Sequence, residues 1–393
     1  MITEENITID KIINDYNSKI LSYPVNELSG GLVQGKLGVL YYLMFVYMDT
    51  KKVVYFDKIT DILMDIFNSL QNPEGSDLLN DSSYAEGISG LGFVITKLIE
   101  NDLLDEEYKE QIPVLSQIAY AYAIKMIDID NYDFLHGSIG VLLFLLKVKN
   151  KELFNGIVDK LHQKSKESVL LFSTVSDNPY ISDINFGFPH GYLSTIKILN
   201  DAKKAFGAHK VYDAIIDKCI TKIMKHINTN YKVDGIHIIK PHKVYLDEGK
   251  LIEHQNNRLA WCNSDLSLIF LLSKIDLGTK NTQYNELVEL IGENVIKRKE
   301  MNVTGIENHH WCHGSSGVAQ LFSELHSLLG DTKYLEAHEY WINRTVQYLK
   351  EGILNELTER DMSLFYGKLG ALLVLQSYQK DFTTEWKEAF LIN

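Results

Sequence analysis

One short pattern recurs along all 393 residues: a small residue, two others, a second small residue, then an apolar run. The copies are Gly35–Gly38, Gly87–Gly90, Gly137–Gly140, Gly191–Ser194, Ser264–Ser267, Gly314–Gly317 and Gly367–Gly370. Their first positions step by 52, 50, 54, 73, 50 and 53 residues. A repeat of this period means stacked copies that share a core, not a string of unrelated domains. It overrides the two or three domains that length alone suggests. A single domain over residues 1–393 is expected.

Each period holds two helical segments. The one after the glycines is apolar nearly all round, as in the runs from Val39, Val141 and Leu266, and such a helix is buried on every side. The other is amphipathic. From Val53 onward, Phe56, Ile59, Ile62, Leu63 and Ile66 fall at helical spacing, with Asp and Lys opposite. The pattern predicts an all-α fold, an α/α toroid of seven repeats with inner and outer helix rings. An open solenoid is the rival. Glycine lets backbones approach closely and tolerates positive φ, so the small positions are expected to relieve crowding where inner-helix N-termini converge. Side chains just before each glycine would then line a shared mouth. The long step of 73 contains Asn228 to His254, with turn signals at Asp234-Gly235 and Asp247-Glu248-Gly249 and alternating flanks. A short β-excursion near 228–257 is expected there, leading into Arg258 and Trp261.

Charge and composition exclude several classes. The net charge is −13 and no basic cluster tracks a helix, which argues against nucleic acid and anionic membrane surfaces as partners. The N-terminus lacks the basic-then-apolar order of a secretory signal. The longest apolar runs fall short of the ~18 residues a membrane helix needs, so no membrane span is expected. Three cysteines in so long a chain make no disulfide framework, and the expected compartment is the reducing cytoplasm.

In that setting cysteine and histidine together point to metal. Cys262 and Cys312 stand two residues before the first small position of their repeats, each after a tryptophan, and His313 stands one residue before it. Equivalent positions on neighbouring inner helices should face one point. Two thiolates and an imidazole make three ligands of a tetrahedral zinc site with an open fourth position. The plainer alternative is two buried structural cysteines and a satisfied histidine. Such a zinc carries little net charge and suits a bound thiolate better than water, favouring thiol alkylation over hydrolysis. His190 and His136 occupy the slot just before a repeat glycine, Asp133 lies one turn before Gly137, and Arg258 precedes Cys262 by four residues. His190 is the candidate general acid/base. His309 and His310 are read as groups supporting the ligands, and Cys219 as packing.

These residues resemble the lanthipeptide cyclase (LanC-like) family. The likeness rests on the seven repeats, RLAWCNSDLS from Arg258, WCHGSSG from Trp311, FPHG from Phe188 and YDFLHGSIG from Tyr132. It implies an α/α toroid binding Zn2+ through Cys262, Cys312 and His313, with His190 as acid/base, Asp133 near it and Arg258 as an active-site arginine. The implied reaction adds a substrate cysteine thiolate to a dehydroalanine or dehydrobutyrine, closing a thioether ring. The implied partners are a dehydrated precursor peptide, leader plus core, and a separate dehydratase. Asn263 and Ser264 depart from the aromatic residue and glycine usual after the first zinc cysteine, and Ser194 and Ser267 replace glycine. Three alternatives stand beside this one. A LanC-like protein would bind zinc and a thiol such as glutathione without cyclising anything. A zinc-free α/α-barrel glycosidase would need a carboxylate pair, for which Asp133 and Glu86 are the candidates. A structural zinc would need a fourth protein ligand, such as His309 or His310.

Overall fold

The computed structural model describes residues 8–71, 76–167, 173–175, 182–233, 235–247, 250–275, 282–379 and 382–393. In chain order the helices are α1 (Ile9–Ser22), α2 (Lys36–Thr50), α3 (Val53–Leu70), α4 (Asp77–Asn80), α5 (Ile88–Glu100) and α6 (Ile112–Asp128). They continue with α7 (Ser138–Lys147), α8 (Lys151–Glu167), α9 (Tyr192–Phe206), α10 (Lys210–Lys225), α11 (Asp265–Lys274) and α12 (Thr282–Val295). The last are α13 (Met301–Thr304), α14 (Ser315–Leu329), α15 (Thr332–Glu351) and α16 (Lys368–Tyr378). Every repeat motif therefore opens an inner helix, α2, α5, α7, α9, α11, α14 and α16.

The chain divides into two compact units. The first joins residues 1–81, 85–87 and 306–393. Within it the two ends of the chain meet. The last inner helix, α16, packs on the first, α2, and α1 packs on α15 and α16. The N-terminal helix thus serves as an outer partner for the seventh repeat, an arrangement that an open solenoid, whose end repeats stand apart, does not make. The inner helices are buried along their length, from Leu37 through Val46 in α2 and Leu369 through Gln376 in α16. On α3, Ile59, Ile62, Leu63 and Ile66 are buried as the periodicity predicts. Phe56 differs: it remains 37% exposed, its ring tilted against Tyr47, and Tyr55 takes the buried place instead.

The second unit covers residues 82–84 and 88–305. Its inner helices α5, α7, α9 and α11 pack side by side in sequence order, with α6, α8, α10 and α12 as outer partners. The β-excursion is present and larger than its sequence signal. A hairpin of β3 (Lys232–Val233) and β4 (Ile236–His237) precedes a second of β5 (Lys243–Asp247) and β6 (Lys250–His254). Two upstream strands, β1 (Ser173–Val175) and β2 (Ser182–Asn185), join the second hairpin in an antiparallel sheet of order β1-β2-β5-β6. The turn residues Asp234, Glu248 and Gly249 lie outside the described residues.

The small residues ease contact with the neighbouring repeat, where a Cβ at Gly140 or Gly370 would lie 2.6 or 2.9 Å from Cβ of Tyr84 or Trp311, and they also do a more local job. Of the first positions only Gly35 has a positive φ, 148°. In four repeats the turn before the inner helix doubles back so tightly that its own backbone touches the second small position. A Cβ at Gly38, Gly140, Gly317 or Gly370 would lie 2.5, 2.1, 1.9 or 2.2 Å from the carbonyl oxygen six residues earlier. Ser194 and Ser267 stand at this position in the fourth and fifth repeats, and their hydroxyls donate to the Gly191 and Ser264 carbonyls at 3.0 and 2.8 Å. In the fifth repeat Ser264 and Ser267 form a reciprocal capping box that satisfies backbone N–H groups at the start of α11.

Neighbouring turns are also tied to one another. The N–H three residues before one motif donates to the carbonyl two residues before another: Leu32 to Ala85 (2.7 Å), Phe134 to Pro189 (2.9 Å), Phe188 to Cys262 (2.8 Å) and Leu364 to Val33 (3.0 Å). This lateral ladder holds equivalent positions of adjacent repeats at the same height.

The ladder and the tight turn yield a first prediction. Gly317→Ala must push the Trp311 carbonyl away, and overpacking of this kind costs about 1–3 kcal/mol. Thermal or urea denaturation should show that loss; an unchanged midpoint would mean that the turn relaxes freely.

Candidate active site

The position two residues before a motif accepts a rung of the ladder at four repeats, Cys262 among them, and Cys312 stands at the same position of the next repeat. In the second unit the Cys262 carbonyl accepts from Phe188. The approach is close enough that a Cβ on Gly187 would come 2.2 Å from that oxygen. Phe188 stacks on Trp261, with ring centroids 5.8 Å apart and planes within 5°. In the first unit the Cys312 N–H donates to the Phe365 carbonyl at 3.0 Å, and Cys312 is 4% exposed.

Cys262, Cys312 and His313 come together. Their ligand atoms all lie within 4.8 Å of one another. A tetrahedral ion bonded at about 2.0–2.3 Å sets its ligand atoms about 3.3–3.8 Å apart, so small side-chain adjustments suffice for one ion. Neither cysteine is in a disulfide, and nor is Cys219, which lies buried in α10 and has its thiol pushed up by that burial. Two sulfurs and one imidazole form a soft donor set. Among the described residues no fourth His, Cys, Asp or Glu joins the group.

Around His313 the first unit packs rings. Tyr366, in the slot before the seventh motif, lies 5.9 Å away by ring centroid, and His310 lies edge-on at 5.7 Å. His310 and His309 stay neutral: burial pushes them down to about 4 and about 3, with Lys368 among the groups that lower both. Tyr366 was overlooked in the sequence, although the repeat register places it in the same slot as His190 and His313.

The second unit holds a separate pair. His190 Nδ1 lies 2.5 Å from Asp133 Oδ2. The other Asp133 oxygen accepts from the backbone N–H groups of Leu135 and His136 at 2.7 and 2.9 Å, which fixes the carboxylate. The Phe134–Pro189 rung binds the two turns together. His190 keeps 44% of its side chain exposed while Asp133 keeps 12%, so the ring stands outward on a buried support. His136, in the equivalent slot, is exposed, and its backbone carbonyl accepts from Tyr122 and Asn131. Arg258 is half-buried beside Gly305, whose added Cβ would meet the guanidinium stem at 3.8 Å. Leu259 N–H donates to the Thr304 carbonyl, anchoring that segment. Glu86 lies in the first unit, its carboxylate against Gly31; burial, then Asp81 and Asp77, raises it to about 7.

Asn263, the departure beside Cys262, is buried and fully engaged. Its amide donates to Asn185 Oδ1 (2.8 Å) and the His242 carbonyl (2.7 Å), and its oxygen accepts from Lys240 Nζ. Nothing in the sequence marked Lys240, which lies in the β-excursion outside the repeat register.

The sequence model of the family "Lanthionine synthetase C-like protein" matches residues 8–391, and the chain belongs to that family. It is 26% identical to the nisin biosynthesis protein NisC of Lactococcus lactis subsp. lactis, over all of this chain and 97% of that one. The solved structure of nisin cyclase superposes with a TM-score of 0.75 at 22% identity, covering 98% of this chain and 96% of that one. The fold class is accordingly that of nisin cyclase, an α/α toroid. Among the described residues no helix is long and apolar enough to cross a membrane.

The donor set predicts one divalent metal ion per chain by elemental analysis. Cys262→Ala and Cys312→Ala should each lose it, and Cys219→Ala should retain it. Retention by both ligand variants would refute the site.

Proposed function

We propose that the chain is a zinc-dependent lanthipeptide cyclase. It closes thioether rings by adding cysteine thiols of a dehydrated precursor peptide to dehydroalanine or dehydrobutyrine. The observation that carries this reading is the convergence of two cysteines and a histidine, about fifty residues apart in the chain, from consecutive repeats. Similarity to a nisin biosynthesis protein supports it independently.

When bound by Cys262, Cys312 and His313, zinc supplies a cation that holds a thiol as thiolate at neutral pH while leaving it nucleophilic. The chain's own residues supply the rest. Asp133 accepts from Nδ1 of His190 and so fixes the ring and its tautomer, leaving Nε2 as the atom that exchanges the proton. The substrate thiol loses its proton, sulfur bonds to the β-carbon, and the electron pair of the double bond moves toward the adjacent carbonyl as an enolate. Arg258 offsets that negative charge. His190 returns a proton to the α-carbon, and the ring is closed with no atom gained or lost.

A separate dehydratase prepares the peptide, and a leader segment recruits it. Free thiols throughout suit a reducing, cytoplasmic setting. No observation favours the alternative of a thiol-binding relative without turnover.

The test is ring closure on a dehydrated peptide, read by mass spectrometry after alkylation of remaining thiols. Cys312→Ala should leave every thiol alkylatable. Asp133→Asn should slow closure by about a hundredfold or more while metal content stays constant, because the proton carrier loses its orientation. Wild-type rates in Asp133→Asn would remove His190 from the mechanism. Stoichiometric zinc with no ring closure by the wild-type chain would overturn the cyclase reading itself.

A further inference from the structure

On the side chain of Asn263, the residue after Cys262, the second unit buries a cation that contacts no carboxylate. Lys240 is 3% exposed, and its ammonium contacts only neutral oxygens, Asn263 Oδ1 and the Pro241 carbonyl. The nearby carboxylate, Asp265, is already committed. It pairs with the buried Arg298 at 2.5 Å and accepts from the backbone N–H groups of Ile239 and Lys240 at 3.2 and 2.9 Å. These three groups, all 3% exposed or less, sum to one positive charge. Buried charges are strongly disfavoured unless an opposite charge compensates them. Burial does lower the ammonium, to about 8, and Asp265 and Cys262 are the groups that pull it back up.

We propose that Lys240, held by Asn263, is a positioning residue for charge: its buried ammonium compensates the sulfur anions gathered at the Cys262 site and favours an anionic thiol ligand over a neutral one. The proposal rests on the cyclase reading only for the identity of the thiol. Two protein thiolates balance a divalent cation, and a substrate thiolate adds one negative charge, which the ammonium offsets. The residue that departs from the family's usual aromatic, Asn263, is the one that orients it.

The experiment uses the full chain loaded with cobalt(II), titrated with β-mercaptoethanol and separately with imidazole, and followed by visible and near-ultraviolet absorption. Lys240→Gln retains a donor for Asn263 but removes the charge. It should keep stoichiometric cobalt, bind the thiol about tenfold or more weakly, and bind imidazole as the wild type does, because only the anionic ligand feels the lost charge. Lys240→Arg should restore thiol binding to near the wild-type level. Unchanged thiol affinity in Lys240→Gln, or an equal loss for thiol and imidazole, would overturn the proposal and leave Lys240 a structural support. If Lys240→Gln does not fold, Asn263→Asp decides. A carboxylate against the ammonium should weaken thiol binding selectively, and wild-type thiol affinity there would overturn the proposal. These readouts are independent of ring closure, so a failed cyclase assay and a failed charge assignment remain distinct results.

Discussion

The backbone contact between a reversed turn and the first residues of the helix it precedes underlies the whole molecule. At Gly317 it brings the Trp311 carbonyl so near that a Cβ would lie 1.9 Å away. Because such a turn is pressed onto its own helix, the residues two and three positions before the motif are left with backbone groups facing sideways. Those groups pair with the next turn, as Phe188 does with Cys262 and Leu364 with Val33. Residues far apart in sequence thereby acquire the same height and orientation. A metal site needs that kind of placement, since three short side chains cannot search for one another across loose loops.

The chemistry follows from which side chains occupy the ordered slots. The position two residues before the motif carries the sulfurs, Cys262 and Cys312, while the next residue carries His190 in one repeat and His313 in another. Support comes from residues outside the rung. Asp133, fixed by two backbone N–H groups, holds His190; Tyr366 and His310 pack against His313; Lys240 donates to Asn263, the residue after Cys262. Burial keeps His309 and His310 uncharged next to the ligands, which avoids adding cations beside a metal ion.

The repeat was legible because its period is imposed by backbone geometry, which leaves small residues wherever a Cβ will not fit. The convergence of the two cysteines was legible for the same reason: register alone aligned Cys262 with Cys312. What the sequence hid was contact with no periodicity. Glycine at the first motif position suggested positive φ, yet only Gly35 adopts it, because close approach is the stronger demand. Strand β2 precedes the fourth repeat and finds its partner β5 more than fifty residues on, too far for a local hairpin signal. Phe56 and Tyr55 exchanged places because a ring at the start of α3 can lie along the groove beside Tyr47. Lys240 was invisible as a site residue, since a lysine in a polar β-excursion ordinarily faces water.

The central claim is that Cys262, Cys312 and His313 bind one ion and leave a vertex for a substrate sulfur. X-ray absorption at the zinc edge of the loaded chain tests it most directly, with and without a cysteine-containing dehydrated peptide. The account predicts a first shell with two sulfurs at about 2.3 Å that becomes three when the peptide is added. A shell of nitrogen and oxygen alone, or a sulfur count that does not change with peptide, would contradict it.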